Sequence, residues 1–258
     1  MIKPFINTTI PVYNEEKTLA QNVAKVAAFI QSLAFQHEIV VVDNGSTDNT
    51  FEIAQSLQRA FASVRVMRLE AKGRGGAIKA AWSNSQADIL SYMDVDLSTD
   101  LTAFPTLIDA LMNRGFDLAT GSRLLKTSST IRGPKREFIS RSYNALVKGM
   151  FGTKFSDAQC GFKAITRTAA DRLLPLVEDN GWFMDTELLV IAEKLGYRIF
   201  DLPVRWVDDP DSRVQFLSAV VGDVKGLIRL RRNFARDKYS SASVRVQYIG
   251  NTNGSKHR

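Results

Sequence analysis

The segment EIVVVD at residues 38–43 is apolar at four successive positions, and it is the feature that most constrains the fold. A half-exposed strand alternates apolar and polar residues, whereas a strand buried on both of its faces is apolar throughout. Turn residues follow at 44–48, where Thr47 or Asp48 is placed to cap a helix. The segment therefore predicts an interior strand of a sheet that is covered by helices on both faces.

Apolar, β-branched runs alternate with helical patterns through the first half of the chain. This alternation predicts an α/β fold with a mainly parallel central sheet. The predicted strands are residues 5–12, 38–43, 64–69, 89–93 and 116–120. The predicted helices are residues 15–35, 75–85 and 100–114, together with the helix that Thr47 or Asp48 caps, which runs to residue 59.

The second half of the chain is less regular. A polar Ser/Thr/Gly/Pro stretch at residues 122–134 is interpreted as a mobile loop. Further predicted elements are helices at 135–150 and 183–195, a short sheet segment at 159–165, and a strand at 199–207 that holds Pro203 near a sheet edge. We expect one large domain over residues 1–212, a basic amphipathic helix at 213–236, and a disordered polar tail at 237–258.

Polar side chains and one aromatic side chain follow the ends of the predicted strands. They are Tyr13, Asp43, Asn44, Asp94 and Asp96. Ligands of open α/β sheets bind outside the carboxyl ends of the strands. We therefore expect these five side chains to line one crevice.

Asp94 and Asp96 stand two residues apart where the apolar run of residues 89–93 ends. Residues two apart on a strand point to the same side, so two bare carboxylates would repel each other. One interpretation is a solvated turn in which Asp100 caps the next helix. The other is a divalent metal site, because hard cations prefer oxygen ligands. The spacing alone leaves both interpretations open.

The composition limits the partners and the compartment. A net charge of +7 and a pI of about 9.5 predict an anionic partner, such as nucleic acid, nucleotide phosphates or an acidic membrane face. Cys160 is the only cysteine, which excludes an intrachain disulfide and favours a reducing compartment. No apolar run approaches the roughly 20 residues needed to span a bilayer, and no secretory signal precedes the first strand. We expect a cytoplasmic protein that is peripherally associated with the inner face of the membrane.

Four ordered segments resemble the inverting glycosyltransferases of family 2, which have the GT-A fold. They are PVYNEE at 11–16, EIVVVDNGSTDNT at 38–50, KGRGGA at 72–77 and MDVDLS at 93–98. Within that family the chain is most similar to dolichyl-phosphate β-glucosyltransferases and polyprenyl-phosphate sugar synthases. That narrower likeness lies in GSR at 121–123, DAQCGFK at 157–163, WFMDTELL at 182–189 and LPVRWVDDPDSRV at 202–214.

The resemblance implies a nucleotide-sugar site with a bound cation. Asp94 and Asp96 correspond to the family's Asp-x-Asp motif, which would hold Mg²⁺ or Mn²⁺ against the donor diphosphate. The implied nucleotide-sugar residues are Pro11, Tyr13, Glu15, Val42, Asn44, Asp94, Val95 and Asp96. The family's usual Asp-Asp pair reads Asp43-Asn44 in this chain, and an amide both donates and accepts hydrogen bonds.

The resemblance also implies an acceptor side. Arg123 and Arg136 correspond to arginines that bind phosphate, and Asp96, Arg123 and Arg136 are the implied catalytic residues. The implied acceptor-binding residues are Arg123, Arg136, Ser140 and Gln159. Lipid phosphate is already anionic at neutral pH, so no strong general base is needed. Asp157 and Lys163 match the acceptor-side motif, whereas Cys160 is interpreted as a small buried group.

Two further features keep a structural interpretation beside a functional one. Asp185 and Glu187 match an acidic pair of the family, but helix capping or structural ion pairing would explain them equally well. The basic helix at 213–236 is either packed on the domain with a solvated basic face or an interfacial helix on anionic lipid. The glycine-rich turn at 72–77 either approaches phosphates or is a plain turn.

The expected function is transfer of a hexose, glucose from UDP-glucose, to polyprenyl or dolichyl phosphate with inversion. Alternatives are the same chemistry with GDP-mannose, and transfer to a soluble or polysaccharide acceptor. A nucleic-acid-binding protein is disfavoured because the basic residues lack an interleaved aromatic platform. A nucleotide-sugar sensor without activity is disfavoured because both carboxylates and the phosphate arginines are present.

Overall fold

The computed structural model describes residues 4–33, 35–208 and 216–239, and for residues 216–220 the backbone alone. Its strands, in chain order, are β1 (Phe5–Val12), β2 (Gln36–Asp43), β3 (Val64–Arg68), β4 (Ile89–Met93), β5 (Leu118–Ser122), β6 (Ser129–Ile131), β7 (Phe162–Thr166), β8 (Ile199–Pro203) and β9 (Arg205–Val207). Its α-helices are α1 (Leu19–Gln31), α2 (Thr50–Ala60), α3 (Arg74–Asn84), α4 (Phe104–Met112), α5 (Pro134–Phe151), α6 (Arg167–Leu173), α7 (Met184–Lys194) and α8 (Phe216–Ala235). Short 3₁₀ turns at Leu101–Ala103 and Leu174–Leu176 precede α4 and follow α6.

A seven-stranded central sheet has the order β3-β2-β1-β4-β7-β5-β8. Every pair in it is parallel except the two made by β7, which runs antiparallel to β4 and to β5. The antiparallel β7 brings the loop that precedes it, residues 157–161, to the same edge at which β4 ends. The predicted α/β fold with a mainly parallel sheet is confirmed.

Helices cover both faces of this sheet, and β2 illustrates the reason for its apolar sequence. Ile39 and Val41 are fully buried in the cluster that includes α1 and α2. Val40 and Val42 point the other way and pack against Ala77 of α3. Because successive residues of a strand face opposite sides, a sheet covered on both faces needs apolar residues at every position.

Helix α1 begins at Leu19, four positions later than the sequence pattern predicts. The intervening residues are held by the loop after β2 instead. The backbone N–H of Glu15 donates to Thr50 Oγ1 over 2.7 Å, and the carboxylate of Glu16 accepts from the backbone N–H of Asn49 over 3.2 Å. These bonds join the ends of β1 and β2, where the crevice was expected.

The interpretation of residues 122–134 as a loop without sheet structure is wrong in part. Ser129–Ile131 forms β6, which pairs in parallel with β9 as a separate two-stranded sheet. The predicted strand at 199–207 is therefore two strands, interrupted at Val204, whose N–H donates to Ser122 O over 3.2 Å. Pro203 ends β8, which is the edge strand of the large sheet, as predicted.

The C-terminal helix α8 packs on α5 and α7. The described part of the predicted 213–236 helix is Phe216–Ala235, while residues 213–215 and the predicted tail from residue 240 onward lie outside the described residues. The division into a domain over 1–212 and a separate basic helix stays a prediction. Within the described ranges, none of the helices combines the length and the apolar character that crossing a bilayer requires.

Candidate active site

The Asp94-Val95-Asp96 segment forms a tight turn at the carboxyl end of β4. Its entry is fixed by the Asp94 N–H, which donates to Gly161 O over 3.1 Å. Its middle is fixed by Asn22 of α1, whose side-chain amide donates to Val95 O over 2.9 Å. Leu97, which closes the turn, has a φ of +53°, a left-handed conformation that non-glycine residues seldom adopt. The turn is therefore held from both sides in a backbone conformation that costs free energy and persists because these contacts fix it.

The two carboxylates of this turn border a small cavity of about 10 Å³, which is roughly the space of one water molecule. Met93, Leu97, Thr99 and Gly161 complete its lining. Asp96 also accepts from the backbone N–H of Ser98 over 2.9 Å, so the segment is a turn. The same turn places both carboxylates beside the cavity, so it is compatible with a cation site as well.

The two carboxylates that this chain supplies are suitable ligands for Mg²⁺ or Mn²⁺. Two carboxylates offer hard oxygen ligands, and a cavity of this size admits a small cation. No group of three or more Asp, Glu, His or Cys side chains with metal-binding geometry occurs within residues 4–33, 35–208 and 216–239. Asp94 and Asp96 would thus hold the cation together with oxygens from a ligand, which is how Mg²⁺ commonly binds beside phosphates.

Gly161 has a steric role at this site. A Cβ atom at this position would lie 1.6 Å from Asp94 Oδ2 and 2.3 Å from its carboxyl carbon. The Asp94 carboxylate therefore occupies space that any other residue would fill. The glycine of the segment DAQCGFK is needed for the position of the Asp94 carboxylate.

Arg74 holds the other oxygen of Asp94. Its Nε and Nη2 donate to Asp94 Oδ1 over 3.0 and 2.7 Å, and its Nη1 donates to Asp185 Oδ2 over 2.7 Å. The guanidinium lies over the rings of Tyr92 and Trp182, at 4.8 and 5.0 Å from their centroids. Burial lowers the pKa of Arg74, but the neighbouring acidic groups outweigh it and raise the pKa well above the ordinary arginine value. Arg74 is a permanent cation that fixes Asp94.

Asp185 anchors this pair from the protein interior. Lys163 Nζ lies 3.3 Å from Asp185 Oδ1, and the Tyr92 hydroxyl donates to the same oxygen. Burial raises the pKa of Asp185, but the charges of Lys163 and Arg74 and the bonds that it accepts give a net lowering. Glu187, the other member of the acidic pair, accepts from Arg229 Nη2 over 3.1 Å. Asp185 and Glu187 therefore both form structural ion pairs in this fold.

The glycine-rich turn at residues 72–77 is a packing device in this structure. Gly75 N–H donates to Gly181 O over 3.2 Å, and Gly76 N–H donates to Asn180 O over 2.9 Å. A Cβ at Gly75 would lie 2.5 Å from Met184 Cβ, so α3 can approach α7 this closely only with glycine there. The backbone donors that a phosphate cradle would use are occupied, and the plain-turn interpretation holds for Gly75 and Gly76.

The ends of β1 and β2 form the expected nucleotide side. Pro11 is the register partner of Val42, and the Asn44 N–H donates to Val12 O over 2.9 Å. Asn44 is 4% exposed, and its Oδ1 receives no hydrogen bond from the residues that the structure describes. An orphaned buried acceptor beside a crevice fits a site that is completed by a ligand.

Tyr13 forms the outer wall of this side. It is 36% exposed, and the Lys72 ammonium lies 4.0 Å from the centroid of its ring. Asn14, the next residue, has a φ of +56° and accepts from the Thr47 N–H through Oδ1 over 2.8 Å. The structure thus brings Pro11, Tyr13, Val42 and Asn44 together at one edge of the sheet, as the sequence predicts.

Arg123 is the first residue of the acceptor side. Its Nε and Nη2 donate to Asp157 Oδ2 and Oδ1 over 2.7 and 2.9 Å, and Asp157 is fully buried. Burial favours the neutral acid, but the charge and the hydrogen bonds of Arg123 prevail and lower the pKa of Asp157 to about 2. This fork-to-carboxylate pair fixes the guanidinium at the mouth of a cavity.

That cavity has a volume of about 420 Å³ and a strongly cationic lining. Arg123, Lys126, Arg132 and Arg141 border it, together with the single acidic residue Glu137. Burial and the nearby charge of Arg123 lower the pKa of Arg132, which is the effect expected for like charges that face each other. An anion in this cavity would relieve the repulsion.

Trp206 of β9 lies under both arginines and connects the two sides of the site. Its ring centroid is 5.6 Å from the Arg123 guanidinium and 5.9 Å from that of Arg132. Trp206 also pairs with Thr99 in an isolated bridge just after the carboxylate turn. The cationic cavity and the turn that carries Asp94 and Asp96 are therefore connected through Trp206 and Thr99.

Two predicted acceptor residues are placed differently from Arg123. Arg136 forms an ion pair with Asp208, and neither it nor Ser140 borders the cationic cavity. Ser140 Oγ is buried without a hydrogen-bond partner among the residues that the structure describes. The side chains that join Arg123 are instead Lys126 and Arg132, which sequence reasoning assigned to a loop. The signal that could have found them was the density of basic residues in and just after the segment 122–134.

Cys160 and Gln159 occupy the loop before β7. Cys160 is fully buried, and burial raises the pKa of its thiol to about 12, so the prediction of an unreactive buried group is confirmed. Gln159 is partly exposed, and its side-chain amide donates to Asp223 Oδ2 of α8 over 2.7 Å.

The exposed face of α8 combines apolar and basic side chains. Val221, Val224 and Ile228 are 53%, 43% and 44% exposed, and Lys225 and Arg232 are exposed beside them. Two further arginines of the basic helix contact the protein. Arg229 pairs with Glu178, Asp179 and Glu187, and Arg231 donates to Met150 O over 2.6 Å.

Comparisons with known proteins agree on one family. Residues 8–174 match "Glycosyl transferase family 2". The chain is 35% identical over 227 residues to glycosyltransferase AglD of Haloferax volcanii, which covers 87% of this chain and 36% of AglD. It is 30% identical over 224 residues to the dolichyl-phosphate beta-glucosyltransferase of Homo sapiens, covering 81% of this chain and 69% of that protein. The chain thus spans about a third of the length of AglD and about two thirds of the human protein.

Solved structures share the fold. Glucosyl-3-phosphoglycerate synthase from Mycobacterium tuberculosis in complex with uridine diphosphate superposes with a TM-score of 0.68 at 21% identity, covering 88% of this chain and 80% of that one. The same enzyme with Mn²⁺ and UDP-glucose gives a TM-score of 0.66 at 20% identity, covering 88% and 79%.

Proposed function

Because the chain belongs to glycosyl transferase family 2 and has the predicted GT-A fold, it is a glycosyltransferase, and we propose that it transfers glucose from UDP-glucose to polyprenyl or dolichyl phosphate. The relatives that are named dolichyl-phosphate beta-glucosyltransferases support this acceptor and this sugar. The structural neighbours solved with UDP and UDP-glucose support this donor.

The observation that carries the proposal is the adjacency of two oppositely charged sites in one crevice. The carboxylates of Asp94 and Asp96 suit a cation that binds a donor diphosphate, and the cavity of Arg123 and Arg132 suits an anionic acceptor. The Thr99–Trp206 bridge brings the two together. A sugar held between a diphosphate and a second phosphate is what this reaction requires.

In the proposed reaction an oxygen of the lipid phosphate attacks the anomeric carbon of glucose. The bond between that carbon and the donor diphosphate breaks with inversion, and UDP leaves with the bonding electrons. A divalent cation at Asp94 and Asp96 would neutralise the charge that develops on the leaving diphosphate. Since the phosphate is ionised at neutral pH, no residue has to remove a proton.

Arg123 and Arg132 would then bind the lipid phosphate. Arginine's planar fork suits phosphate oxygens, and both guanidiniums rest against Trp206, so their positions are set before the acceptor arrives. Arg123 is paired with Asp157, and Arg132 and Arg141 share Glu137, so the four basic side chains of the cavity meet two carboxylates and keep a net positive charge for an anion. Arg136 and Ser140, which do not line this cavity, stay proposed acceptor residues.

Helix α8 supports an anionic membrane surface as the place of the acceptor. Its exposed Val221, Val224 and Ile228 would enter the headgroup region while Lys225 and Arg232 meet lipid phosphates. Near an anionic leaflet each basic residue contributes roughly 1 kcal/mol. The face is therefore suited to peripheral binding at the inner face of a membrane.

The deciding experiment is transfer of radiolabel into lipid. Purified protein is incubated with UDP-[¹⁴C]glucose, polyprenyl phosphate and Mn²⁺, and the organic-extractable product is counted. We expect label in the organic phase that disappears in excess chelator and in Asp96→Asn. A parallel reaction with GDP-[¹⁴C]mannose tests the alternative donor. Label that enters water-soluble products alone, or transfer from GDP-mannose alone, would contradict the proposal.

Arg132→Met tests the acceptor site separately. Losing one charge-assisted contact to phosphate corresponds to about 1.5–3 kcal/mol, so the KM for polyprenyl phosphate should rise by about ten- to a hundredfold. The KM for UDP-glucose should stay at the wild-type value. Lys126→Met provides a second test of the same cavity, and Arg114→Met, on the exposed end beyond α4, is the matched control.

A further inference from the structure

Asp223 of α8 is a buried carboxylate that the proposed reaction does not use. It is 6% exposed, and its Oδ2 accepts from Gln159 Nε2 over 2.7 Å. Its other oxygen, Oδ1, is buried and receives no hydrogen bond from the residues that the structure describes. A buried carboxylate of this kind is costly, so its position calls for a physical account.

The surroundings of Asp223 are acidic. Burial raises the pKa of Asp223 to about 6 against the lowering effect of the Gln159 hydrogen bond, and the charges of Asp179 and Asp185 add to the rise. Tyr143 faces it from α5, and the hydroxyl of Tyr143 is hydrogen-bonded to Thr186 Oγ1 over 2.8 Å. No Lys or Arg within the described ranges forms an ion pair with Asp223, although such pairs hold both Asp179 and Asp185. This corner therefore disfavours a phosphate.

Gln159 lies between the two halves of the site. Two residues before it, Asp157 holds Arg123 at the cationic cavity, and Asp157 also accepts from the Gln159 N–H over 3.1 Å. Two residues after it, Gly161 touches the Asp94 carboxylate. The segment therefore runs from the cationic cavity to the carboxylate turn, and Gln159 is its middle residue.

We propose that Asp223 positions Gln159 as the residue that binds a hydroxyl group of the transferred sugar. Asp223 holds the amide nitrogen, so it is the carbonyl oxygen of Gln159 that would meet the sugar. A carbonyl oxygen accepts hydrogen bonds, so it pairs with a sugar hydroxyl and cannot pair with phosphate oxygens, which are acceptors too. The charge of Asp223 also polarises the amide and strengthens the bond that its oxygen accepts.

This inference rests on the proposed sugar transfer and moves Gln159 from the acceptor side to the donor-sugar side. It also gives α8 a second task. One face of the helix carries the apolar and basic side chains suited to lipid, and the opposite face carries Asp223, which sets the geometry of the sugar subsite.

The test compares UDP-glucose with UDP-2-, 3-, 4- and 6-deoxyglucose as donors. In the wild-type protein we expect kcat/KM for one deoxy donor to fall by about tenfold, as the loss of a hydrogen bond to a polarised group implies. In Gln159→Leu, kcat/KM for UDP-glucose itself should fall by this factor, and kcat/KM for the same deoxy donor should stay at its wild-type value. The KM for polyprenyl phosphate should not change. Gln31→Leu, at the exposed end of α1, is the matched control.

Asp223→Asn tests the positioning role. The asparagine can still accept from Gln159, but it lacks the charge and also permits the flipped amide, so the discrimination between the two donors should shrink by about threefold. Calorimetric affinities for UDP and UDP-glucose provide a second readout that needs no turnover. The extra affinity that glucose adds should fall in both variants.

Several outcomes would overturn the inference. If the wild-type protein used all four deoxy donors as efficiently as UDP-glucose, no hydroxyl group of the sugar would be bound in this way. A Gln159→Leu variant that keeps the full preference for the hydroxylated donor would exclude Gln159 as the hydroxyl ligand. A rise in the KM for polyprenyl phosphate without a change in donor preference would return Gln159 to the acceptor side. Absence of transfer by the wild-type protein with every donor would instead refute the proposed function, and the inference with it.

Discussion

Replacing Gly161 by alanine should disable the metal site through a single added methyl group. The Cβ of alanine would lie 1.6 Å from Asp94 Oδ2, whereas two such atoms need about 3.4 Å, so one of them has to move by nearly 2 Å. The backbone at Gly161 resists this movement, because its carbonyl accepts from the Asp94 N–H and the next residue, Phe162, pairs with Met93. The Asp94 side chain will therefore swing out and leave Arg74.

The magnitude follows from these contacts. Overpacking costs about 2 kcal/mol, and the lost pair with Arg74 contributes about 1 kcal/mol after allowance for the 38% exposure of the Asp94 side chain. A destabilisation of about 3 kcal/mol corresponds to a melting temperature lower by about 6–12 °C in a domain of this size. Misplacing one of the two carboxylates should weaken metal-dependent binding of UDP by about 10- to 100-fold.

Calorimetry of UDP binding with and without Mn²⁺, together with thermal unfolding, measures both effects. Gly149→Ala is the matched control, because a Cβ there meets nothing within 4 Å and alanine favours the helix α5. If Gly161→Ala binds UDP with wild-type affinity and the same metal dependence, then the contact with Asp94 does not position a metal ligand, and the reasoning fails.

The remaining predictions concern the second carboxylate, a buried ion pair and the membrane face. Asp96→Ala should abolish metal-dependent transfer and leave the melting temperature within about 1 °C of the wild type, because Asp96 is exposed. Activity that survives this substitution or excess chelator would contradict the proposal that Asp96 is a metal ligand. Asp157 has a pKa lowered to about 2, so its contribution to stability is complete above about pH 4 and is lost as the pH falls through 2. Asp157→Asn should remove this pH dependence from acid unfolding curves and lower the free energy of unfolding at pH 7 by about 3–5 kcal/mol. Charge reversal of Lys225 and Arg232 should reduce sedimentation with anionic vesicles without changing the affinity for UDP, and high salt should have the same effect. Reversal of Arg229 should instead lower the melting temperature, because Arg229 pairs with buried Glu187. Vesicle binding that is unchanged by the charge reversal of Lys225 and Arg232 and by salt would exclude this face.

The sequence alone was sufficient for the fold class and for half of the site. The period of the apolar residues is local information, and EIVVVD could only be a strand covered on both faces. Strand order did not have to be known to place Asn44 and Asp94 at one crevice, because the carboxyl ends of parallel strands meet at the same edge. Asp94 and Asp96 could be predicted as a metal site because both carboxylates lie within three residues of the chain.

The boundaries of the elements were less accessible, because contacts distant in sequence set them. Helix α1 begins at Leu19 since Glu15 and Glu16 bind the loop before α2. Segment 122–134 is too polar to signal a strand, yet Ser129–Ile131 becomes one because β9 lies beside it. No local pattern in either segment specifies its partner.

Charge pairing was decided by the tertiary structure alone. Arg74, Arg123 and Arg229 look alike in the sequence, as basic residues suited to phosphate or membrane, but each is held by a buried carboxylate that lies 34 to 111 positions away in the chain. Arg132, which by sequence is one of several basic residues in a polar segment, borders the cationic cavity beside Trp206 together with Arg123. The sequence determines how many charges there are, but the free energy of each depends on its distance from the others and from water, and those distances exist only after the chain has folded.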